Sequence, residues 1–96
     1  MPTKVSVTFE TKATHRFLLH KGNQVALDAA GKGSFTVQEN EPDLILFGMQ
    51  GNPGTTATIT LSVPAGRKLL IEGHPIKGQI AQNHSVWGSS RFFEMR

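Results

Sequence analysis

The chain has 96 residues, enough for one domain with one modest core, and 38% apolar against 18% charged residues excludes a disordered chain. It holds no cysteine, which excludes disulfides, cysteine-ligated zinc and a thiol nucleophile. The net charge of +3 sits in the last third: Met1 to Gly66 balances Lys4, Lys12, Arg16, Lys21 and Lys32 against Glu10, Asp28, Glu39, Glu41 and Asp43, whereas Arg67, Lys68, Lys77, Arg91 and Arg96 face only Glu72 and Glu94.

The first segment, Lys4 to Glu10, places Val5, Val7 and Phe9 on one side and Lys4, Ser6, Thr8 and Glu10 on the other, the pattern of a half-buried strand. It lacks the apolar stretch of about 7 to 15 residues that marks a secretory signal. No apolar run approaches the ~20 residues that span a bilayer. A cytoplasmic location and no membrane association are expected, with a processed secreted form looking the same at this level.

His15 and His20 are five residues apart and face opposite sides of any one strand, so they read as surface histidines rather than metal ligands. Asn23 to Ala30 has helix-friendly composition, although Val25 and Leu27 fit a strand equally well. Ser34 to Gln38 alternates through Phe35 and Val37. Glu39, Glu41 and Asp43 stand at alternate positions, as calcium ligands do, but the segment lacks the turn glycine of an EF-hand and has Gln50 at its twelfth position. Acidic residues around Pro42 equally suit a soluble turn.

Asp43 to Met49 breaks the alternation, because Leu44, Ile45, Leu46 and Phe47 run together. Such a run predicts a central strand covered on both faces, or one against which a second protomer packs. Thr56 to Val63 returns to strict alternation, with Ala57, Ile59, Leu61 and Val63 dry and Thr56, Thr58, Thr60 and Ser62 wet. Lys68 to Glu72 is a shorter apolar run through Leu69, Leu70 and Ile71. Between these segments lie turn formers such as Asn52-Pro53-Gly54 and Pro64-Ala65-Gly66.

About seven or eight short strands at this cadence predict an all-β fold, a small antiparallel β-sandwich or barrel-like domain spanning residues 1–96. The expected core comprises Val5, Val7, Phe9, Phe35, Val37, Leu44, Leu46, Ile59, Leu61, Val63 and Ile71.

The segment from Gly73 up to Val86 reads as a long polar loop or an irregular edge, and Ser89 to Arg96 as a closing strand with Phe93 and Met95 inward and Phe92 near an edge. Lys77, Gln79, Gln82, Asn83, His84, Trp87 and Arg91 supply donors, acceptors, an aromatic ring and cations in quick succession, the mixture found at contact surfaces. The plainer reading of Trp87 is a core plug, and a compromise between the two leaves its ring partly buried with the indole N–H at the rim.

The chain shows neither a nucleophile elbow, a phosphate loop nor a dinucleotide fingerprint. No cofactor is expected. The leading expectation is a non-catalytic protein-interaction domain, self-associating or bound to another protein through the Leu44 to Phe47 strand or the Lys77 to Phe93 surface. A second reading is a glycan- or polyanion-binding module using Arg67, Lys68, Lys77, Arg91 and Arg96 with Trp87 and Phe92. A third is a small enzyme with His74 or His84 as general base.

Overall fold

Alternation gives each strand one dry side, and the computed structural model, which describes residues 2–96, turns those sides toward each other across two antiparallel sheets. The strands are β1 (Pro2–Thr11), β2 (His15–His20), β3 (Asn23–Gln24), β4 (Lys32–Gln38), β5 (Asp43–Gln50), β6 (Thr56–Ser62), β7 (Leu69–Ile71), β8 (Ile76–Gln79) and β9 (Val86–Met95). One sheet has the order β4-β1-β6-β8 and the other β3-β2-β5-β9-β7. The all-β sandwich expected from the cadence of turns is therefore the observed fold.

Only the β2–β3 turn joins neighbours in one sheet; each other connection between described strands crosses to the opposite sheet. In that turn Lys21 and Gly22 both take positive φ, 52° and 78°, the backbone twist that suits a two-residue hairpin. The segment with helix-friendly composition contributes only the two residues of β3 and an extended stretch, whose Val25 is buried against the core.

The core is built from Val5, Val7 and Phe9 of β1, Val37 of β4, and Ala57, Ile59 and Leu61 of β6 on one side. Leu18 of β2, Ile45, Phe47 and Met49 of β5, and Phe93 and Met95 of β9 meet them from the other. Phe35, Val63 and Ile71 pack against this cluster half-buried. Two expected core residues are corrected: Leu44 and Leu46 point outward, because β5 is apolar in both phases and the structure turns Ile45 and Phe47 inward.

Of the two readings of the stretch after Gly73, a long loop or an irregular edge, the loop is corrected and an edge strand is what forms. Ile76 to Gln79 forms β8, paired with β6 from Ile59↔Ile76 to Thr56↔Gln79, and Ile76 and Ile80 are fully buried. Gly78 stands at the inward position between those two isoleucines, so the sequence shows no third apolar residue to complete the alternation.

Both His20 and Asp43 lie inside, contrary to their reading as a surface histidine and a turn acid. His20 Nε2 lies 2.8 Å from Asp43 Oδ2, and Asp43 Oδ1 accepts the Leu44 N–H at 3.0 Å. The Phe35 ring stacks on the imidazole at a centroid distance of 4.4 Å. Their side chains are in phase with Leu18 and with Ile45, which is the signal the sequence carried. Glu39, by contrast, pairs with Arg67 at 2.6 Å, so the three alternating acids do not share a site.

Asp28 organises the loop before β4. Its Oδ1 accepts the N–H groups of Ala30 and Lys32, each at 2.9 Å, while the Arg16 guanidinium donates to the carbonyls of Asp28 and Ala29. The Lys32 N–H bond is the main cause holding the Asp28 carboxyl below its ordinary value of 3.8, with the Ala30 bond and the Lys32 and Arg16 charges acting the same way against desolvation. A carboxyl depressed in the folded state contributes stability above its unfolded pKa and loses it as pH falls. The stability difference between the wild type and Asp28→Ala is expected to be constant at neutral pH and to shrink on acidification below about pH 4, measured by urea unfolding across pH.

For the buried pair, Asp43→Ala strands the imidazole and is expected to cost about 3 kcal/mol, whereas replacing both His20 and Asp43 with leucine costs much less. Equilibrium unfolding of the two variants distinguishes the outcomes.

Candidate interaction face

With Leu18, Ile45 and Phe93 turned inward, the intervening residues of the five-stranded sheet must point out. The register aligns them in rows across the strands: His15, Gln50 and Val86; Phe17, Gly48 and Gly88; Leu19, Leu46 and Ser90; Leu44 and Phe92; Leu70 and Glu94. Phe17, Leu46, Leu70, Val86 and Phe92 are the exposed large hydrophobic side chains among the described residues, and all of them lie on this face. Phe92 is 72% exposed and Val86 62%, so neither is a core side chain with a wet edge. Leu19 and Leu44, half-buried, fill the space between.

The outer face of the four-stranded sheet has the opposite character. Its rows read Thr36 and Lys4; Ser34, Ser6 and Ser62; Lys32, Thr8 and Thr60; Glu10, Thr58 and Lys77; Thr56 and Gln79. Hydroxyls and charges cover it, as expected for a sheet with one solvated side. The hydroxyl row foreseen on β6 thus extends over the whole sheet.

The apolar face is uneven. A Cβ at Gly48 would lie 2.6 Å from the Phe17 ring, so the missing side chain lets that ring lie across β5. A Cβ at Gly88 would meet only backbone, with Phe47 O at 3.3 Å and Gly48 Cα at 3.9 Å, so no side chain covers the gap beside Phe17. A dent of about 280 Å³, lined by His15, Arg16, Phe17, Met49, Gln50 and Val86, opens at this end of the sheet.

The residues singled out in Gly73 to Phe93 are distributed differently. Lys77, Gln79 and Trp87 border an open depression of about 500 Å³ with Thr56, Thr58 and Gly78. Gln79 and Gln82 border another of about 490 Å³ beside Pro53 and Gly54. Asn83, at φ 65°, and His84 occupy the turn between β8 and β9, where the His84 N–H donates to the Ala81 carbonyl. The Arg91 guanidinium donates to Ser89 Oγ and the Ser90 carbonyl of its own strand. His74 Nε2 accepts the Leu61 N–H at 2.9 Å and so extends the β6 ladder past Ile76.

Trp87 is half-buried and faces Phe47 across 5.6 Å between ring centroids. Its indole lies where a Cβ at Gly78 would fall, so β9 supplies the apolar bulk that β8 lacks. This contact links the two sheets at their β8 and β9 side.

Among the described residues no three histidine, aspartate or glutamate side chains cluster as a metal set. No helix of the structure is long and apolar enough to cross a membrane. No family model, curated protein or solved structure matches the chain significantly.

The outward residues missed from the sequence were Phe17, Leu19, Leu70 and Val86. For Phe17, Leu19 and Leu70 the available signal was the same as in β5, apolar residues in both phases of "FLL" and "LLI", and for Val86 it was the adjacent Trp87 in the other phase. For the Trp87 contact, Gly78→Ala is expected to destabilise by about 1–3 kcal/mol through overpacking and Trp87→Ala by about 3 kcal/mol through lost packing. Combined, they should cost clearly less than the sum, since the alanine at 78 then enters vacated space. Urea unfolding of the two single variants and the double variant checks the coupling.

Proposed function

We propose that the chain is a non-catalytic protein-interaction domain whose contact surface is the outer face of the five-stranded sheet. The observation that supports this reading most is the gathering of Phe17, Leu46, Leu70, Val86 and Phe92 on that one face while the opposite outer face is hydroxylated and charged. Scattered apolar surface residues need no explanation, but a contiguous group points to a protein surface that covers it. An antiparallel sheet in a monomer would solvate this side with polar residues, as the other sheet does.

The aromatic and aliphatic side chains of the face are of the kind that anchor protein contacts. The glycan or polyanion reading draws less support. Trp87 stacks inward on Gly78 and Phe47, Arg67 is paired with Glu39, and Arg96 with Glu94.

A photo-crosslinking phenylalanine analogue placed at position 92, at 70 or, on the opposite face, at 60 tests the assignment in lysate of the source cells. Light-dependent protein adducts are expected at 92 and 70 and not at 60. Adducts that are absent, or equally frequent at all three positions, would remove the assignment.

A further inference from the structure

Resting on the interaction face just assigned, we infer that its occupant is a second copy of this chain, docked sheet to sheet about a two-fold axis that crosses the strands at the Leu46–Ser90 row. The argument is one of shape. Along β9 the outward residues run Val86, Gly88, Ser90, Phe92, so the gap at Gly88 and the projecting ring of Phe92 lie equally far from Ser90 on either side. A two-fold axis through that row places each Phe92 over the other copy's Gly88. It also places Leu44 over Gly48, where the Phe17 ring lies, and Leu46 near its own equivalent on the axis.

The ring of Phe92 opposite the gap at Gly88 lets two facing sheets approach to about 10 Å, with Leu44 and Leu46 meeting apolar side chains beside it. The contact is isologous, since each copy gives one ring and receives one, and it closes without leaving a free apolar face for a third.

The glycine at 88 supports the pairing because nothing within the chain demands it. Its φ is not in the left-handed region, and only backbone atoms lie within 4 Å of where a Cβ would stand. The slightly close Phe47 carbonyl asks for a shift of a few tenths of an ångström at most. Gly78 and Gly48, by contrast, each accommodate an aromatic ring of their own chain.

Area is also sufficient. Strands ~4.8 Å apart, with same-face residues ~6.8 Å apart along them, give this face an extent on the order of 500 Å². Two copies then bury about 1,000 Å², the lower bound for a specific interface, so the face is large enough for a dimer.

Sedimentation of the purified chain from roughly 1 μM to roughly 1 mM tests the inference. The wild type is expected to pass from monomer to dimer within that range. Phe92→Asp should weaken the dimer at least about 30-fold, as loss of an aromatic anchor does, and Gly88→Leu should do the same by filling the receiving gap. Thr60→Asp, on the wet face, should leave it unchanged. The swap of Gly88→Phe with Phe92→Gly restores ring over gap in the same dimer and should recover association lost in either single replacement. Trp87 fluorescence and thermal unfolding establish that each variant is folded.

A wild type that stays monomeric at roughly 1 mM overturns the inference without reference to any variant. So does a dimer indifferent to folded Phe92→Asp and Gly88→Leu. In either case photo-adducts from position 92 to a different protein would leave the interaction face standing, whereas the absence of any adduct would remove both.

Discussion

The buried bond between His20 and Asp43 sets the phase of the two strands at the centre of the larger sheet. Because side chains alternate along a strand, a slip of one residue in β2 or β5 would expose the pair and turn Leu19, Leu44 and Leu46 inward. Hydrophobicity alone does not forbid that slip, since β5 is apolar in both phases and β2 has Leu18 in one phase but Phe17 and Leu19 in the other. The pair acts as a pin: Asp43 is satisfied by the imidazole and by the Leu44 N–H, and Phe35 of the other sheet covers the ring. With this phase fixed, Leu18, Ile45 and Phe47 fill the core and the remaining apolar residues have only the outside left.

That division gives the molecule two outer surfaces of different chemistry, one of hydroxyls and charges, the other of phenylalanine, leucine and valine. The inner packing is independent of which surface meets water. At one side of the sandwich Trp87 crosses to Gly78 and closes the core; at the other, the extended segment after β3 brings Val25 and Leu27 under Gly33. The apolar outer face is therefore not the residue of a poorly covered core. It is a second apolar side, carried by strands whose inward side is already packed.

The fold was legible where alternation is strict. β1 and β6 could be read with their inward residues correct, because Val5, Val7, Phe9, Ile59 and Leu61 have polar neighbours on both sides. β8 was not legible, since the bulk at its middle inward position comes from a tryptophan in the other sheet rather than from its own sequence. The phase of β5 was not legible either, for it depends on a hydrogen bond to a histidine far away in the chain. Of the candidate face, the continuous run from Leu44 to Phe47 signalled only that β5 needs cover on two sides; its Leu44 and Leu46 were expected in the core rather than outside. What the sequence could not supply was the register that gathers Phe17, Leu70, Val86 and Phe92 around it.

The order in which strands pair has a kinetic consequence. Almost every connection leaves one sheet for the other, so nearly every ladder joins segments distant in sequence, and such topologies fold in milliseconds to seconds rather than microseconds. β5 is flanked in its sheet by β2, which precedes it, and by β9, which arrives only after β6, β7 and β8 have been made. During synthesis the "LILF" run therefore has one edge open for most of the chain's emergence, a segment of high β propensity with nothing yet beside it. The same strand that carries Leu44 and Leu46 on the outer face of the finished protein is thus where premature strand-to-strand association between nascent chains would begin.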